Sequence, residues 1–216
     1  GHVERLPVGD EDVKGTYDRF ARCTHGALIR NDFEWMEYWR WENEEERTAA
    51  VYYDAKDIPQ GFLLYWVEED VFHIREMVYL TQEARKGLWN FIRAHYSMID
   101  AVKGHIYTGE PLAFLLDESQ IQETIEPYFM ARIVDVAQFL RLYPFEGSIR
   151  PFHFVVTDPM AEWNNGIFSV ATDREGTVSV TDEPAGKAVE LDIQTLSAML
   201  MGYKRPSYLA RIERLH

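Results

Sequence analysis

Two short stretches carry residue types and spacings that could do chemistry. In the first, Trp35, Trp39 and Trp41 interleave with Glu34, Glu37 and Glu42. Aromatic faces beside carboxylates hold ammonium groups by cation–π attraction and ion pairing. Trp35, Trp39, Trp41, Glu37 and Glu42 are therefore candidate walls of a pocket for a cationic small-molecule acceptor. The same spacing has a second reading, because Trp35 and Trp39, four residues apart, also suit the buried stripe of an amphipathic helix whose glutamates face solvent. The second stretch is Gln82-Glu83-Ala84-Arg85-Lys86-Gly87. A Gln followed by spaced glycines at a helix N-terminus holds a pyrophosphate through backbone N–H groups and the helix dipole. Gln82 and Gly87 stand where such a loop needs them, but Arg85 fills the place of a glycine, and its Cβ obstructs the approach of phosphate to backbone. The loop is expected to be degenerate, with Arg85 and Lys86 left only an electrostatic hold on a phosphate.

Other chemistry is weakly signalled. The seven histidines lack metal-ligand spacing, no nucleophile elbow or P-loop occurs, and His73 and His105 sit in strand-like text as structural histidines. The single cysteine, Cys23, excludes an internal disulfide, suits a reducing compartment and is expected in the core. Trp163, Asn164 and Gly166 read as a hairpin turn with Asn and Gly at positive φ.

The elements that must position these residues follow from hydrophobic period. Asp12 to Cys23 places Val13, Tyr17, Phe20 and Ala21 on one helical face, and a second helix covers Asn31 to Arg40. "TAAVYYD", "GFLLYWVEE" and "VFHIREMVYL" predict an antiparallel strand set. Thr81 caps a helix running to about Ser97, with Ala84, Leu88, Phe91, Ile92 and His95 spaced for burial. "MIDAVKGHIY" and "YFMARIVD" predict further strands, and "VAQFLRLY" a helix. Gly1 and His2 are set aside as an appended start.

The stretch Pro144 to Ser148 breaks both periods and places a domain boundary there, giving domains 1–146 and 147–216. In the second domain "RPFHFVVTD", "GIFSVATD", "TVSVTD" and "KAVELD" predict a β-meander. Asp192 then caps the helix "IQTLSAMLMG", and Pro206 opens another. The fold class expected is mixed α/β for the first domain and α+β for the second.

Composition bounds the partners. The chain has 216 residues, 46% hydrophobic and 14% aromatic, enough for a substantial core. A net charge of −14 argues against nucleic acid and favours a cationic partner, although an acidic surface also serves solubility alone. No apolar run reaches the twenty or so residues needed to span a bilayer, so no membrane association and a cytoplasmic location are expected.

The order of helices, antiparallel strands, longer helix and strand is that of a GNAT-type domain, a weak signal by itself. More specific are "MARIVDVAQFLRLYPF", the turn from Asp158 to Phe168, and "LDIQTLSAMLMGY", which follow one another in fixed order. In these segments the chain resembles the enhanced intracellular survival (Eis) family of GNAT N-acetyltransferases over nearly its whole length. That resemblance implies a GNAT-like domain with a degenerate acyl-CoA loop, followed by a sterol-carrier-like domain cut before the family's C-terminal tail. It implies acetyl-CoA as the cofactor of the intact enzyme, none bound by this chain, and acetyl transfer to amines. It implies as partners an N-terminal catalytic GNAT domain of the same polypeptide and further copies of the chain. No catalytic or metal residue is carried over. The alternative function is a carrier of small hydrophobic ligands, with "FHFVV", "IFSV" and "LSAMLM" lining a cavity.

Overall fold

The structure, a computed structural model, describes residues 1–40, 46–107, 112–117, 120–126, 129–173 and 175–216. Two compact units divide between Gln122 and Glu123.

The first unit is built on a five-stranded sheet in the order β1 (His2–Leu6), β2 (Thr48–Tyr53), β3 (Pro59–Glu68), β4 (Val71–Tyr79), β5 (Ala101–Gly104). All neighbours pair antiparallel except β4 and β5, which run parallel and are joined through α3 (Gln82–Arg93). Strand alternation sends side chains to two cores. On one face Ala49, Val51, Tyr53, Phe62, Leu64 and Val78 pack against α1 (Glu11–Cys23) and α2 (Asp32–Trp39). On the other, Ala50, Tyr52, Leu63, Tyr65, Phe72 and Ile74 pack against Ala84, Leu88 and Ile92 of α3. The helices start where the sequence caps them. Asp10 caps α1, Asn31 forms a full capping box with Glu34 on α2, and the Thr81 hydroxyl accepts the Ala84 N–H on α3.

One irregularity matters for the site. β3 and β4 shift register, with Leu64 opposite Glu76 and Tyr65 opposite Ile74, which leaves Arg75 as an extra residue. A bulge flips the side-chain parity of its strand. Thus Glu76 and Val78 face α1 and α2, whereas Ile74 and Phe72 face α3.

The second unit has a four-stranded sheet in the order β8 (Val178–Thr181), β7 (Gly166–Thr172), β6 (Phe152–Thr157), β9 (Lys187–Asp192). Its core joins Phe154, Val156, Val170 and Leu191 to α5 (Val136–Leu142) and α6 (Ile193–Leu200). Two short helices complete the chain, α4 (Leu112–Leu115) in the first unit and α7 (Pro206–Arg211) in the second.

Several expectations are corrected. The strand set of the second unit is not a meander, because β9 crosses to pair parallel with β6 rather than antiparallel with β8. His2 to Leu6 form a strand, although His2 was set aside. Residues 129–135 form no strand. Their polar groups are satisfied by the second unit: Ile133 N–H donates to Ser197 Oγ at 3.1 Å, Val136 N–H to Asn164 Oδ1 at 3.0 Å, and the Arg132 guanidinium to Asp158. With Ile133, Val136 and Leu140 in the second core, the division lies at Gln122/Glu123 instead of 146/147. Cys23, at the last position of α1, is exposed and not in the core.

Candidate functional site

The stretch Gln82 to Gly87 forms the first turns of α3, where a pyrophosphate loop would lie. Each of its features is committed to packing. The Ala84 N–H, one of the helix's orphan donors, is taken by the Thr81 hydroxyl at 3.1 Å. Glu83, in the first turn, accepts a 2.6 Å hydrogen bond from the Tyr52 hydroxyl. That hydrogen bond, with burial and the Glu83 charge behind it, pushes the Tyr52 phenol up to about 12. Gly87 faces the sheet, and a Cβ there would lie 2.3 Å from the Tyr52 ring carbons. The glycine therefore lets α3 lie close on β2. The Glu83 carboxylate thus stands in the first turn of α3 with its side chain 64% exposed, and Gly87 packs against an aromatic ring. Arg85 and Lys86 line the outer side of α3 with Trp89, Asn90 and Arg93, along a cavity of about 430 Å³ whose far wall includes Leu112 and Leu115.

On the opposite face of the sheet, the bulge turns Glu76 inward beneath α1 and α2. Arg30, from the connection between those helices, meets it in a bidentate pair, Nη1 to Oε2 at 2.8 Å and Nη2 to Oε1 at 2.9 Å. The guanidinium carbon lies 3.8 Å from the centroid of the Tyr17 ring, 4.2 Å from Tyr38 and 4.7 Å from Trp35. Burial works against the Arg30 charge, but the hydrogen bonds and charge of Glu76 outweigh it, with smaller help from Tyr17 and Tyr38, and the guanidinium is held above its ordinary pKa.

This places the candidate acceptor residues. Trp35 and Trp39 are each 7% exposed and belong to the α1/α2 core, as the buried-stripe reading of their spacing has it. The cation that Trp35 faces is Arg30 of the same chain. Glu37 is half-buried and pairs with Arg40 at 2.9 Å. Trp41 and Glu42 lie outside the described residues. Of the two histidines considered, His73 stacks on Trp66 in β4 with centroids 4.7 Å apart, and His105 is exposed after β5. Arg30 and Glu76 were missed by sequence reasoning. The signal was present in Phe72-Ile74-Glu76-Val78, where a glutamate occupies an inward position of an otherwise apolar alternation and so demands a cation.

In the second unit the turn after β6 is a polar hub. Asn164 is fully buried. It accepts from Val136 N–H and donates to Val134 C=O at 3.0 Å and to Asp158 at 2.9 Å. Asp158 also accepts from Met160 N–H at 3.0 Å and from Arg132 at 2.6 and 2.7 Å. Burial alone would raise the Asp158 carboxyl, but these donors, Asn164 first, then Met160 and Arg132, bring it down to about 2. Residues 162–164 form a 3-10 turn, and Gly166 at the start of β7, not Asn164, takes the positive φ. The core of this unit holds the wholly buried side chains of Leu140, Ile193 and Leu196.

Residues 26–133, half of the chain, match the acetyltransferase (GNAT) domain family. The chain belongs to the GNAT acetyltransferases. Residues 136–216 match the sterol carrier protein domain family, so the mixed α/β GNAT fold followed by a sterol-carrier-like α+β unit is the expected architecture. GNAT acetyltransferases use acetyl-CoA. This GNAT chain is 23% identical over 213 residues to the N-acetyltransferase Eis of Mycobacterium tuberculosis (strain CDC 1551 / Oshkosh), covering 94% of itself and 50% of that relative. It is similar to a conserved protein of unknown function from Enterococcus faecalis V583, a probable N-acyltransferase, with 30% identity and a TM-score of 0.89 over 100% of this chain and 56% of that one. It is also similar to a GCN5-related N-acetyltransferase from Anabaena variabilis, with 27% identity and a TM-score of 0.83 over 99% and 56%. The chain therefore spans about half the length of the relatives it matches. Among the described residues no helix is long and apolar enough to cross a membrane.

Proposed function

We propose that this chain is the non-catalytic part of an Eis-like, acetyl-CoA-dependent N-acetyltransferase that acts on amines. It corresponds to a second, degenerate GNAT domain and the sterol-carrier-like domain that follows it. The observation that supports this reading is the start of α3, where Arg85 stands in the place of a glycine, the Thr81 hydroxyl takes the Ala84 N–H, Glu83 accepts from Tyr52, and Gly87 packs on the Tyr52 ring. The catalytic chemistry then belongs to an N-terminal GNAT domain of the same polypeptide, in the cytoplasm, and the chain contributes acceptor-side surface and assembly of copies. Within the candidate acceptor wall, Glu37 is the described member that still reaches solvent. The packed core of the second unit favours support over lipid carriage.

The direct test is turnover by the chain alone, given acetyl-CoA and a polyamine or an aminoglycoside. CoA release at the background hydrolysis rate is expected, with saturable release only when a catalytic GNAT domain is present. Saturable release by the chain alone overturns the reading. Lipid extraction followed by mass spectrometry tests the carrier alternative, and a stoichiometric bound lipid would favour it.

A further inference from the structure

Arg30 is an unusual core residue because three aromatic rings and a carboxylate from regular elements meet it while Arg30 itself comes from a connection; Arg75 also lies over one of those rings, Tyr38, at 4.9 Å. Tyr17 lies on α1, Trp35 and Tyr38 on α2, and Glu76 on β4. The rings are fixed against one another. Trp35 meets Tyr17 edge-on at 5.3 Å and Tyr38 at 5.8 Å, and the Tyr17 hydroxyl is anchored on Leu28 C=O at 2.8 Å. The α2 capping box at Asn31 and Glu34 sets the helix that carries two of the rings. A planar guanidinium is matched twice over, its face by flat rings and its edge by a bidentate carboxylate. An ammonium would satisfy neither geometry as well, since it makes no fork.

We propose that the first unit contains a guanidinium-binding cage of Tyr17, Trp35, Tyr38 and Glu76, occupied by the chain's own Arg30, and that removing this side chain creates a site for a free alkylguanidinium. In the native chain Arg30 fills this cage beside the β4 bulge. The inference stands whether or not the chain is catalytic.

The test is Arg30→Ala in the full chain, followed by thermal unfolding and tryptophan fluorescence during titration with methylguanidinium. Methylurea, neutral and nearly isosteric, and methylammonium are run in parallel, with the wild-type chain as control. The cage predicts a saturable rise in the Tm of R30A of about 5 °C with methylguanidinium, a much smaller rise with methylammonium, and none with methylurea or in the wild type. Equal responses to methylguanidinium and methylurea, or equal responses of R30A and wild type, overturn it. If R30A does not fold unaided, refolding yield becomes the readout. Recovery with methylguanidinium but not methylurea supports the cage, and recovery with both or neither contradicts it. The double variant R30A/E76Q removes the buried charge and is predicted to lose the preference for methylguanidinium over methylurea. Retention of that preference also counts against the cage.

Discussion

Each unit of this chain buries a carboxylate beside an arginine, and the two pairs differ in what would remain if the arginine were lost. In the first unit both partners are inside, with side-chain exposures of 5% for Arg30 and 10% for Glu76, and Arg30 is the charged partner that forks onto Glu76. In the second, Asp158 is fully buried while Arg132 is 40% exposed, and Asp158 keeps donors from Asn164, Met160 and Ala161. Glu76 depends on its arginine; Asp158 depends on a backbone turn. The difference follows from location. Glu76 sits within a strand, where the partner the structure gives its carboxylate is the Arg30 side chain, whereas Asp158 sits at a strand end, where a turn supplies backbone N–H groups.

This contrast is most exposed by Arg30→Ala, which leaves an unpaired buried carboxylate and should cost about 4 kcal/mol, measured by urea unfolding monitored by tryptophan fluorescence. Asn164→Ala comes next at roughly 3 kcal/mol, because it strands the buried Val136 N–H and removes one donor from Asp158, while the Val134 carbonyl keeps the Trp163 indole N–H; near-UV circular dichroism of the Trp163 region follows it. Arg132→Ala should cost only about 1 kcal/mol, since its side chain is substantially exposed and solvent screens the pair. A loss from R132A as large as that from R30A would break the comparison.

The contrast extends to pH dependence. The folded-state pKa of Asp158, about 2, lies below the unfolded value of about 3.9. Its stabilisation is therefore present above pH of about 4 and lost as pH falls toward 2. Acid titrations of stability should show this dependence in wild type and largely retain it in R132A, because Asn164 and the Met160 N–H precede the guanidinium among its causes. Asp158→Asn should abolish it. Loss of the dependence in R132A would mean that the arginine, not the turn, governs this carboxylate.

Much of the local structure was legible. The caps at Thr81 and Asp192, the apolar stripes of α1 and α3, and the alternation in β6 each rest on residues within a few positions of one another. What escaped were relations across long separations. Parallel pairing of β9 with β6 leaves no mark in the text of either strand, and although the Phe72-Ile74-Glu76-Val78 alternation marks Glu76 as inward, its partner Arg30 lies 46 positions away. The bulge at Arg75 hid the pair further, since it reverses which alternate residues face α1. The segment 129–135 was misread as a strand because apolar residues there serve a loop whose N–H groups bond side chains of the second unit. At the candidate site, the obstruction at Arg85 was readable from side-chain size, but the roles of Glu83 and Gly87 were not, because both depend on Tyr52, thirty residues earlier in the chain.

The central claim is that the start of α3 cannot hold a pyrophosphate, and calorimetric titration of acetyl-CoA into the chain tests it most directly. We predict no saturable heat up to millimolar cofactor. Stoichiometric binding at micromolar affinity that disappears when Arg85 and Lys86 are both replaced by alanine would contradict the account.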